Sequence, residues 1–225
     1  MFRRYGVYHL PPEGAAWARF ATRWLGWDID AGAPADPLPR PPAEDIVETP
    51  RRYGLHATLK PPFHLAEGQT PEALAAATAA LAGRLAPVQL EGLGLARIGR
   101  FLALRPLGDE SELNALAASC VRDLDAFRAP PSEAELARRR ARRLSEAQEA
   151  HLARWGYPHV MELFRFHITL SGALEPDTLA ETEDRLSQDL TPLLPKPYML
   201  DEIALVGEMD DGRFRMIARY PLTGA

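Results

Sequence analysis

Cysteine is nearly absent from this sequence of 225 residues, which contains one, Cys120. A single cysteine excludes an intramolecular disulfide and a cysteine-rich zinc site, and it is typical of a reducing compartment. Cys120 lies in an apolar stretch with helical spacing, between Leu116 and Leu124. We therefore expect a small buried core residue and not a reactive thiol.

Long apolar runs are also missing. No stretch approaches the roughly 18 apolar residues that a membrane span requires. The N-terminus begins Met-Phe-Arg-Arg, then alternates and meets Pro11-Pro12, so it forms no apolar core of a signal peptide. We expect a soluble cytoplasmic protein with no membrane partner, and no pattern indicates an obligate protein partner.

An excess of positive charge is the third absence. The sequence has 26 Lys and Arg against 31 Asp and Glu, a formal net charge of −5. A general binder of nucleic acid usually presents a basic surface, so this balance disfavours one, although it leaves room for a local basic pocket. With 46% hydrophobic and 25% charged residues, the chain has an ordinary globular composition.

Periodicity and chain breakers predict strands and helices in mixed order. The segment 28–50, rich in Pro and Ala, reads as an irregular loop, and loops this long usually have a task. The predicted strands are 4–10, 53–60, 88–98, 100–105, 163–171, 200–206 and 214–220. The predicted helices are 13–25, 70–85, 111–127, 131–155 and 176–190.

The order of these elements repeats. Each half reads strand, helix, irregular or helical insertion, histidine-containing strand, helix, strand, and the second half, which starts near Arg100, ends with one further strand. We therefore predict one domain over residues 1–225, with a first lobe at about 1–99, a second at about 100–225 and a helical insertion at about 131–156. The fold class is α+β, a bilobal pseudo-twofold duplication in which two antiparallel sheets line a central cleft and helices lie outside.

The two histidine-containing strands carry the same groups in the same order. Side chains on a strand alternate between its faces. His56 and Thr58 share one face of the first strand, and His167 and Thr169 share one face of the second. The opposite faces are apolar: Leu55, Ala57 and Leu59 in the first strand, and Phe166, Ile168 and Leu170 in the second. A single His-x-Thr would be weak evidence, as short motifs usually are, but two copies at equivalent places in a repeat indicate a shared site.

Two imidazoles and two hydroxyls suit the cleavage of a phosphodiester. A histidine with a pKa near 6.5 is available as either base or acid at working pH. One neutral ring takes a proton from the attacking water, and the other, protonated, gives one to the leaving oxygen. The threonine hydroxyls donate hydrogen bonds to the non-bridging phosphate oxygens. This chemistry needs no metal and no cofactor, and we expect neither.

The paired elements His56-Ala57-Thr58-Leu59 and His167-Ile168-Thr169-Leu170 resemble the signature of the 2H phosphoesterase superfamily. The stretch from Arg52 to Phe63 is similar to the branch found with bacterial phosphonate-utilisation genes, and so is the opening Arg4-Tyr5-Gly6-Val7-Tyr8. The resemblance covers nearly the whole chain. It implies a bilobal fold with the histidines in the central cleft, and substrates among cyclic phosphates or 2′-linked phosphodiesters.

Three functions stay open at this point. The first is a metal-independent phosphodiesterase that opens a cyclic nucleotide or a cyclic ribose phosphate, so that its partner is a small phosphorylated substrate. The second is an RNA-processing enzyme that acts on 2′,5′ links or 2′,3′-cyclic ends. The third is a nucleotide- or phosphate-binding module without catalysis.

Four further residues are candidates for substrate binding. Lys60 follows Thr58 on the predicted polar face, and Arg165 precedes His167 on the equivalent face. In one interpretation, each of these cations binds a phosphate. In the other, Lys60 is solvated and Arg165 forms a surface salt bridge. Tyr8 borders the cleft or packs in the core. Ser171 supplies another hydroxyl or caps the end of its strand.

The remaining histidines carry less information. His64 would complete a three-histidine metal site only if the fold brought it to His56 and His167, and no neighbouring carboxylate supports that arrangement. We expect His9, His151 and His159 at the surface or at caps.

One basic cluster occurs, at 138–143, with five arginines among its six residues. Glutamates flank it on both sides. The cluster is either a solvated, salt-bridged helical face or a patch that contacts a nucleotide or RNA.

Overall fold

A computed structural model describes residues 2–141 and 143–224, in which strands and helices alternate along the chain. The strands are β1 (Tyr5–His9), β2 (Trp27–Asp28), β3 (Ala33–Pro34), β4 (Ala57–Phe63), β5 (Val88–Leu90), β6 (Gly92–Ile98), β7 (Phe101–Leu107), β8 (Ile168–Thr169), β9 (Tyr198–Leu200), β10 (Glu202–Glu208) and β11 (Phe214–Pro221). The helices are α1 (Ala16–Leu25), α2 (Glu44–Arg51), α3 (Pro71–Ala82), α4 (Ser111–Asp123), α5 (Glu133–Arg140), α6 (Glu146–Trp155) and α7 (Pro176–Asp189). Short 3₁₀ helices occur at Asp125–Phe127, Met161–Leu163 and Thr191–Leu193.

Two antiparallel sheets hold the paired motifs. One has the strand order β11-β10-β1-β4 and the other the order β6-β7-β8. The histidine motif lies at the edge strand of each sheet, β4 in the first and β8 in the second. The predicted α+β class with antiparallel sheets is confirmed.

The strands do not divide between two contiguous lobes. β6 ends the first repeat, yet it pairs with β7 of the second through a tight turn, with Ile98 opposite Phe101. β10 and β11 close the second repeat, yet β10 pairs with β1 of the first. The expected division at residues 99 and 100 is therefore corrected, because the closing strands of each repeat join a sheet with strands of the other.

The small β5–β9 pair supports the internal duplication. These strands hold equivalent places after α3 and α7, and they pair with each other antiparallel, with Gln89 opposite Met199 at the centre. Each has the same burial pattern, a polar or exposed middle residue between two buried ones. A pseudo-twofold axis between the repeats would bring two equivalent strands together in this way.

The segment 28–50 is not all loop, since α2 occupies its end. Acidic Glu44 and Asp45 lie in the first turn and Arg51 in the last, an arrangement that the helix dipole favours. The carbonyl of Ile46 accepts a hydrogen bond of 2.7 Å from the Gly172 amide. α2 thus holds the chain that leaves β8.

The predicted single helix over 131–155 is also corrected. It is two helices, α5 and α6, since Ser145 starts α6 with a capping box to Gln148.

Most of the buried apolar residues form one cluster that spans both repeats. Trp17, Trp24 and Leu25 of α1 belong to it, as the apolar stripe predicted, and the Trp24 indole donates a hydrogen bond of 2.9 Å to the Leu170 carbonyl. Cys120 is fully buried, and burial raises the pKa of its thiol to about 12, so its predicted core position is confirmed. Within residues 2–141 and 143–224, no helix is both long and apolar enough to span a membrane.

His9 is a core residue, which corrects the expected surface position. It is 1% exposed, its Nε2 is hydrogen-bonded to the Tyr198 hydroxyl, and its Nδ1 lies 3.3 Å from the Glu202 carbonyl. Burial lowers the pKa of His9 to about 4, since a charged imidazole loses its hydration there. The sequence offered no sign of this because β1 is buried on both faces.

We expect His9 to make stability depend on pH. The unfolded chain protonates this ring below about pH 6.5, whereas the folded chain does so only below about pH 4. The free energy of unfolding should therefore fall as the pH drops through that window, by about 2 kcal/mol between pH 7 and 4.5 for this group. Urea unfolding of the parent and of His9→Gln at both pH values measures the difference. Equal pH slopes in the two proteins would contradict the assignment.

Candidate active site

The two His-x-Thr motifs line one cavity of about 700 Å³. The wall is built by β1, by β4 and the residues before it, by β8, and by the segment from α5 to residue 159. Its residues are Arg4, Tyr8, Arg52, Tyr53, His56, Thr58, Pro61, Pro62, Arg138, Arg139, Leu144, Gln148, Tyr157, Pro158, His159, His167 and Thr169. Two edge strands from different sheets thus bring their polar faces together.

His56 is held by the backbone just before β4. Its Nδ1 lies 2.9 Å from the Gly54 carbonyl, and its Nε2 lies 3.2 Å from the Thr58 hydroxyl. A carbonyl oxygen only accepts, so Nδ1 carries the proton and Nε2 of the neutral ring has a free lone pair. Gly54 has a φ of 69°, in the left-handed region, and this turn aims its carbonyl at the ring.

His167 repeats this arrangement in the second sheet. Its Nδ1 donates a hydrogen bond of 2.7 Å to the carbonyl of Arg165, again the residue two positions earlier. Its Nε2 is therefore the nitrogen that is free to exchange a proton with a ligand. Both histidines are half-buried and both line the same cavity.

The electrostatic environment favours a neutral His56. Burial lowers its pKa to about 4, the hydrogen bond to Gly54 opposes the shift, and charge on His167 adds to it. His56 is consequently neutral near pH 7.

Aromatic rings support the imidazoles. Tyr8 stacks on His56 with ring centroids 4.1 Å apart, and Tyr53 lies 5.7 Å from the same ring. Phe101 lies 5.9 Å from His167. The Tyr8 hydroxyl is buried and has no hydrogen-bond partner among the described residues, and burial raises its pKa. Tyr8 thus both borders the cavity and packs in the core, the two positions that the sequence had left open.

The wall is rich in cations. Arg4 pairs with Glu208 and Arg139 with Glu135, whereas Arg52 and Arg138 form no ion pair within the described chain. Among the described residues, no carboxylate lines the cavity. Sequence reasoning missed Arg4, Arg52, Tyr53, Tyr157 and His159 as wall residues. Arg52 and Tyr53 directly precede the first motif, which was the available signal.

Lys60 does not reach the cavity, contrary to expectation. It is 2% exposed, its Nζ donates a hydrogen bond of 2.8 Å to the Val121 carbonyl, and it lies 3.6 Å from Asp125. A β-bulge explains the difference: Thr58 is opposite Tyr8, but Lys60 is opposite Val7, which faces the core. Burial lowers the pKa of Lys60 to about 8, against the effect of Asp125.

Arg165 and Ser171 are corrected as well. The Arg165 side chain turns back onto the backbone, with bonds of 3.0 Å and 2.6 Å to the Glu162 and Phe164 carbonyls, and it does not line the cavity. Ser171 is buried, where its hydroxyl accepts from the Leu102 amide and donates to the Gly172 carbonyl at 2.9 Å each. It closes the end of the strand, as the alternative interpretation had it.

His64 lies outside the cavity of the two motifs, whereas part of the basic cluster lines it. His64 lines a different cavity from His56 and His167, and the described residues contain no group of three or more metal-ligating side chains. In the basic cluster, Arg139 and Arg140 pair with glutamates, whereas Arg138 lines the cavity that holds the two motifs. The salt-bridged interpretation therefore fits these two arginines, and contact with a nucleotide or RNA stays a prediction. Arg142 lies outside the described residues.

A family described as "Protein of unknown function (DUF1045)" matches residues 58–215. Two curated relatives are similar to the chain: ribose 1,5-bisphosphate phosphokinase PhnN of Janthinobacterium sp. (strain Marseille), 38% identical, and that of Laribacter hongkongensis, 39% identical. The match covers 76% of this chain, which spans about two fifths of those relatives (39% and 40%). These findings fit the phosphonate-linked branch that the motifs indicated.

Three solved structures are similar to the chain at low sequence identity. A chain titled phosphoesterase is 17% identical with a TM-score of 0.46, and covers 99% of both chains. LigT of E. coli with NADP⁺ is 18% identical, with a TM-score of 0.47 over 99% of this chain and 98% of that one. TT0787 of Thermus thermophilus is 20% identical, with a TM-score of 0.47 over 98% of each.

We expect Gly54→Ala to release His56 from its carbonyl. An added Cβ would lie 2.8 Å from Cβ of Ile29, at a φ that side chains disfavour, so the turn must shift. The ¹⁵N spectrum of histidine at pH 7 should then show His56 as a mixture of tautomers, whereas the parent shows the Nδ1–H form. Gly212→Ala is the matched control, since Gly212 has a φ of 81° with no atom within 4 Å of the new Cβ. A pure Nδ1–H tautomer in Gly54→Ala would contradict the proposed anchor.

Proposed function

The chain belongs to the family described as protein of unknown function DUF1045, and we propose that it is a phosphodiesterase that opens a small cyclic phosphodiester with two histidines. One observation carries the proposal. Two imidazoles from different sheets, each with Nδ1 bound to a carbonyl two residues earlier, present Nε2 to the same cavity. A threonine two residues later accompanies each of them.

The proposed reaction is hydrolysis. A water oxygen attacks phosphorus, and Nε2 of one neutral histidine takes a proton from that water. The bond between phosphorus and a ring oxygen breaks, and Nε2–H of the other, protonated histidine gives its proton to that oxygen. The product is a phosphate monoester with a free hydroxyl. Thr58 and Thr169 donate hydrogen bonds to the non-bridging oxygens, whose charge must be stabilised as the bond breaks.

The environment of the two rings supports an assignment of roles. His56 has a pKa of about 4 and so is neutral at pH 7, as a general base must be. His167 is then the general acid. Neither step in this scheme passes through a metal ion.

The substrate we favour is a cyclic ribose phosphate, and a cyclic nucleotide is the alternative within this function. The curated relatives are named for a kinase that acts on a ribose with two phosphates, and the name PhnN relates to phosphonate metabolism. Opening a 1,2-cyclic phosphate on ribose 5-phosphate at O2 would yield that bisphosphate. A role in phosphonate utilisation is consistent with this chemistry.

RNA processing receives less support. Arg139 and Arg140 of the basic cluster pair with Glu135 and Glu149, so the cluster does not form a continuous free strip for a phosphate backbone. The chain also has a net charge of −5.

The third function, a binding module without catalysis, would bind a cyclic phosphate over pH 5 to 8 with no turnover.

We expect His56→Gln and His167→Gln each to lower kcat/KM on a cyclic ribose or nucleotide phosphate by roughly 10²- to 10⁴-fold, because each removes one proton transfer. The assay is run without added metal and with a chelator, and circular dichroism checks the fold. His64→Gln is the matched control, an exposed histidine outside the catalytic cavity, and should retain parental activity.

A p-nitrophenyl phosphodiester separates the two roles, since its leaving group needs no proton. His167→Gln should regain most of its loss on this substrate, while His56→Gln should not. If both folded variants turn over the cyclic substrate as fast as the parent, the proposed function is wrong.

A further inference from the structure

We propose that the substrate carries a second anionic group, a phosphate monoester on the same sugar, and that Arg52, Arg138 and the Tyr8 hydroxyl bind it. This inference rests on the proposed function, since it assigns the first phosphate to the two histidines. None of these three side chains has a part in the proton transfers described above.

The charge in the cavity exceeds what a cyclic phosphodiester neutralises. Such a diester carries one negative charge, and the two His-Thr pairs already supply donors for it. Arg52 and Arg138 add two guanidinium groups that no carboxylate of the described chain balances, in a wall without acidic side chains. Guanidinium groups bind phosphate through charge-assisted hydrogen bonds. A monoester, with a charge of about −1.5 to −2 at pH 7, matches two such groups.

The pairing of the other arginines makes these two distinctive. Arg4 gives its guanidinium to Glu208, and Arg139 lies between Glu135 and the face of Tyr157, whose ring centroid is 4.7 Å away. Each of these two cations already has a carboxylate partner within the protein. Arg52 and Arg138 both line the cavity and are exposed, so they are open to an incoming ligand.

Tyr8 provides the second, independent observation. Its side chain is 0% exposed, and its hydroxyl has no hydrogen-bond partner in the part of the chain that the structure describes. A buried hydroxyl without a partner costs free energy, so such groups commonly mark a place where a ligand or water completes the bond. The hydroxyl feels the charge of Arg4, and Arg4 lines the junction between this cavity and the next together with Arg138. Tyr8, Arg52 and Arg138 thus line one cavity.

The position of Tyr8 relates the two phosphate sites. Its ring stacks on His56 with the ring centroids 4.1 Å apart, so the phenol that carries the hydroxyl lies directly against the imidazole. A single sugar that bears a cyclic phosphate and a phosphate monoester can therefore meet both groups at once. The stacking also makes Tyr8 a positioning residue for His56.

The test compares ribose 1,2-cyclic phosphate with and without a 5-phosphate. The parent should prefer the 5-phosphorylated compound in kcat/KM. Arg52→Gln and Arg138→Gln should each reduce that preference roughly tenfold to hundredfold, the usual effect of losing a hydrogen bond to a charged group. Rates on the compound without the 5-phosphate should fall by a smaller factor, since the second phosphate is missing from it. Tyr8→Phe should reduce the preference in the same direction while keeping the stack on His56.

Arg122→Gln is the matched control, an exposed arginine on α4 that does not line the cavity. Equal kcat/KM of the parent on the two sugars, or an unchanged preference in both arginine variants, would overturn the inference and leave the proposed function standing. A stronger preference for an oligonucleotide with a 2′,3′-cyclic end would also overturn it.

If the parent cleaves neither sugar and no cyclic nucleotide, the proposed function fails, and calorimetry with ribose 5-phosphate decides the second site separately. Binding that weakens at least tenfold in Arg52→Gln and Arg138→Gln, and not in Arg122→Gln, supports the site. No binding, or equal affinity in all four proteins, rejects it.

Discussion

The hydrogen bond from each imidazole Nδ1 to a carbonyl two residues earlier is the constraint on which the site depends. It selects the tautomer, because a carbonyl accepts a proton and never supplies one. It also leaves Nε2 as the reactive nitrogen in both His56 and His167. A free histidine side chain would divide its population between tautomers and rotamers. Here the backbone before each strand accepts from Nδ1 in both rings, so each ring is held with its Nε2 unprotonated when neutral.

The exchange of strands between the repeats fixes the two rings relative to each other. β10 of the second repeat lies beside β1, and β6 of the first repeat lies beside β7. The two halves consequently share one large apolar cluster, and neither half can move away without breaking a sheet. α2 adds a further tie through the bond from Gly172 to Ile46. The cavity between the edge strands is therefore set by the core, while the segment with α5 and α6 contributes cations at its rim.

The sequence predicted the parts of the site that follow from strand periodicity. His56, Thr58, His167 and Thr169 stand out because a strand alternates its faces and the motif occurs twice. The same reasoning failed for Lys60, since a bulge in β4 moves it to the core face, and a bulge leaves no mark in a pattern of period two. The cavity wall from α5 to residue 159 depends on tertiary packing, so Arg138 and Tyr157 could not be assigned to the site. The exchange of the last strands was likewise hidden, because a repeat in element order does not say which sheet a strand joins.

The central claim is that His56 and His167 hold a single phosphate between them. The most direct test is a titration of ¹⁵N-histidine-labelled protein with inorganic phosphate, followed through the Nε2 resonances of both rings. The account predicts that both signals shift together, with one common dissociation constant, while both Nδ1 atoms stay protonated. Two unrelated dissociation constants, or a response from one ring only, would contradict it.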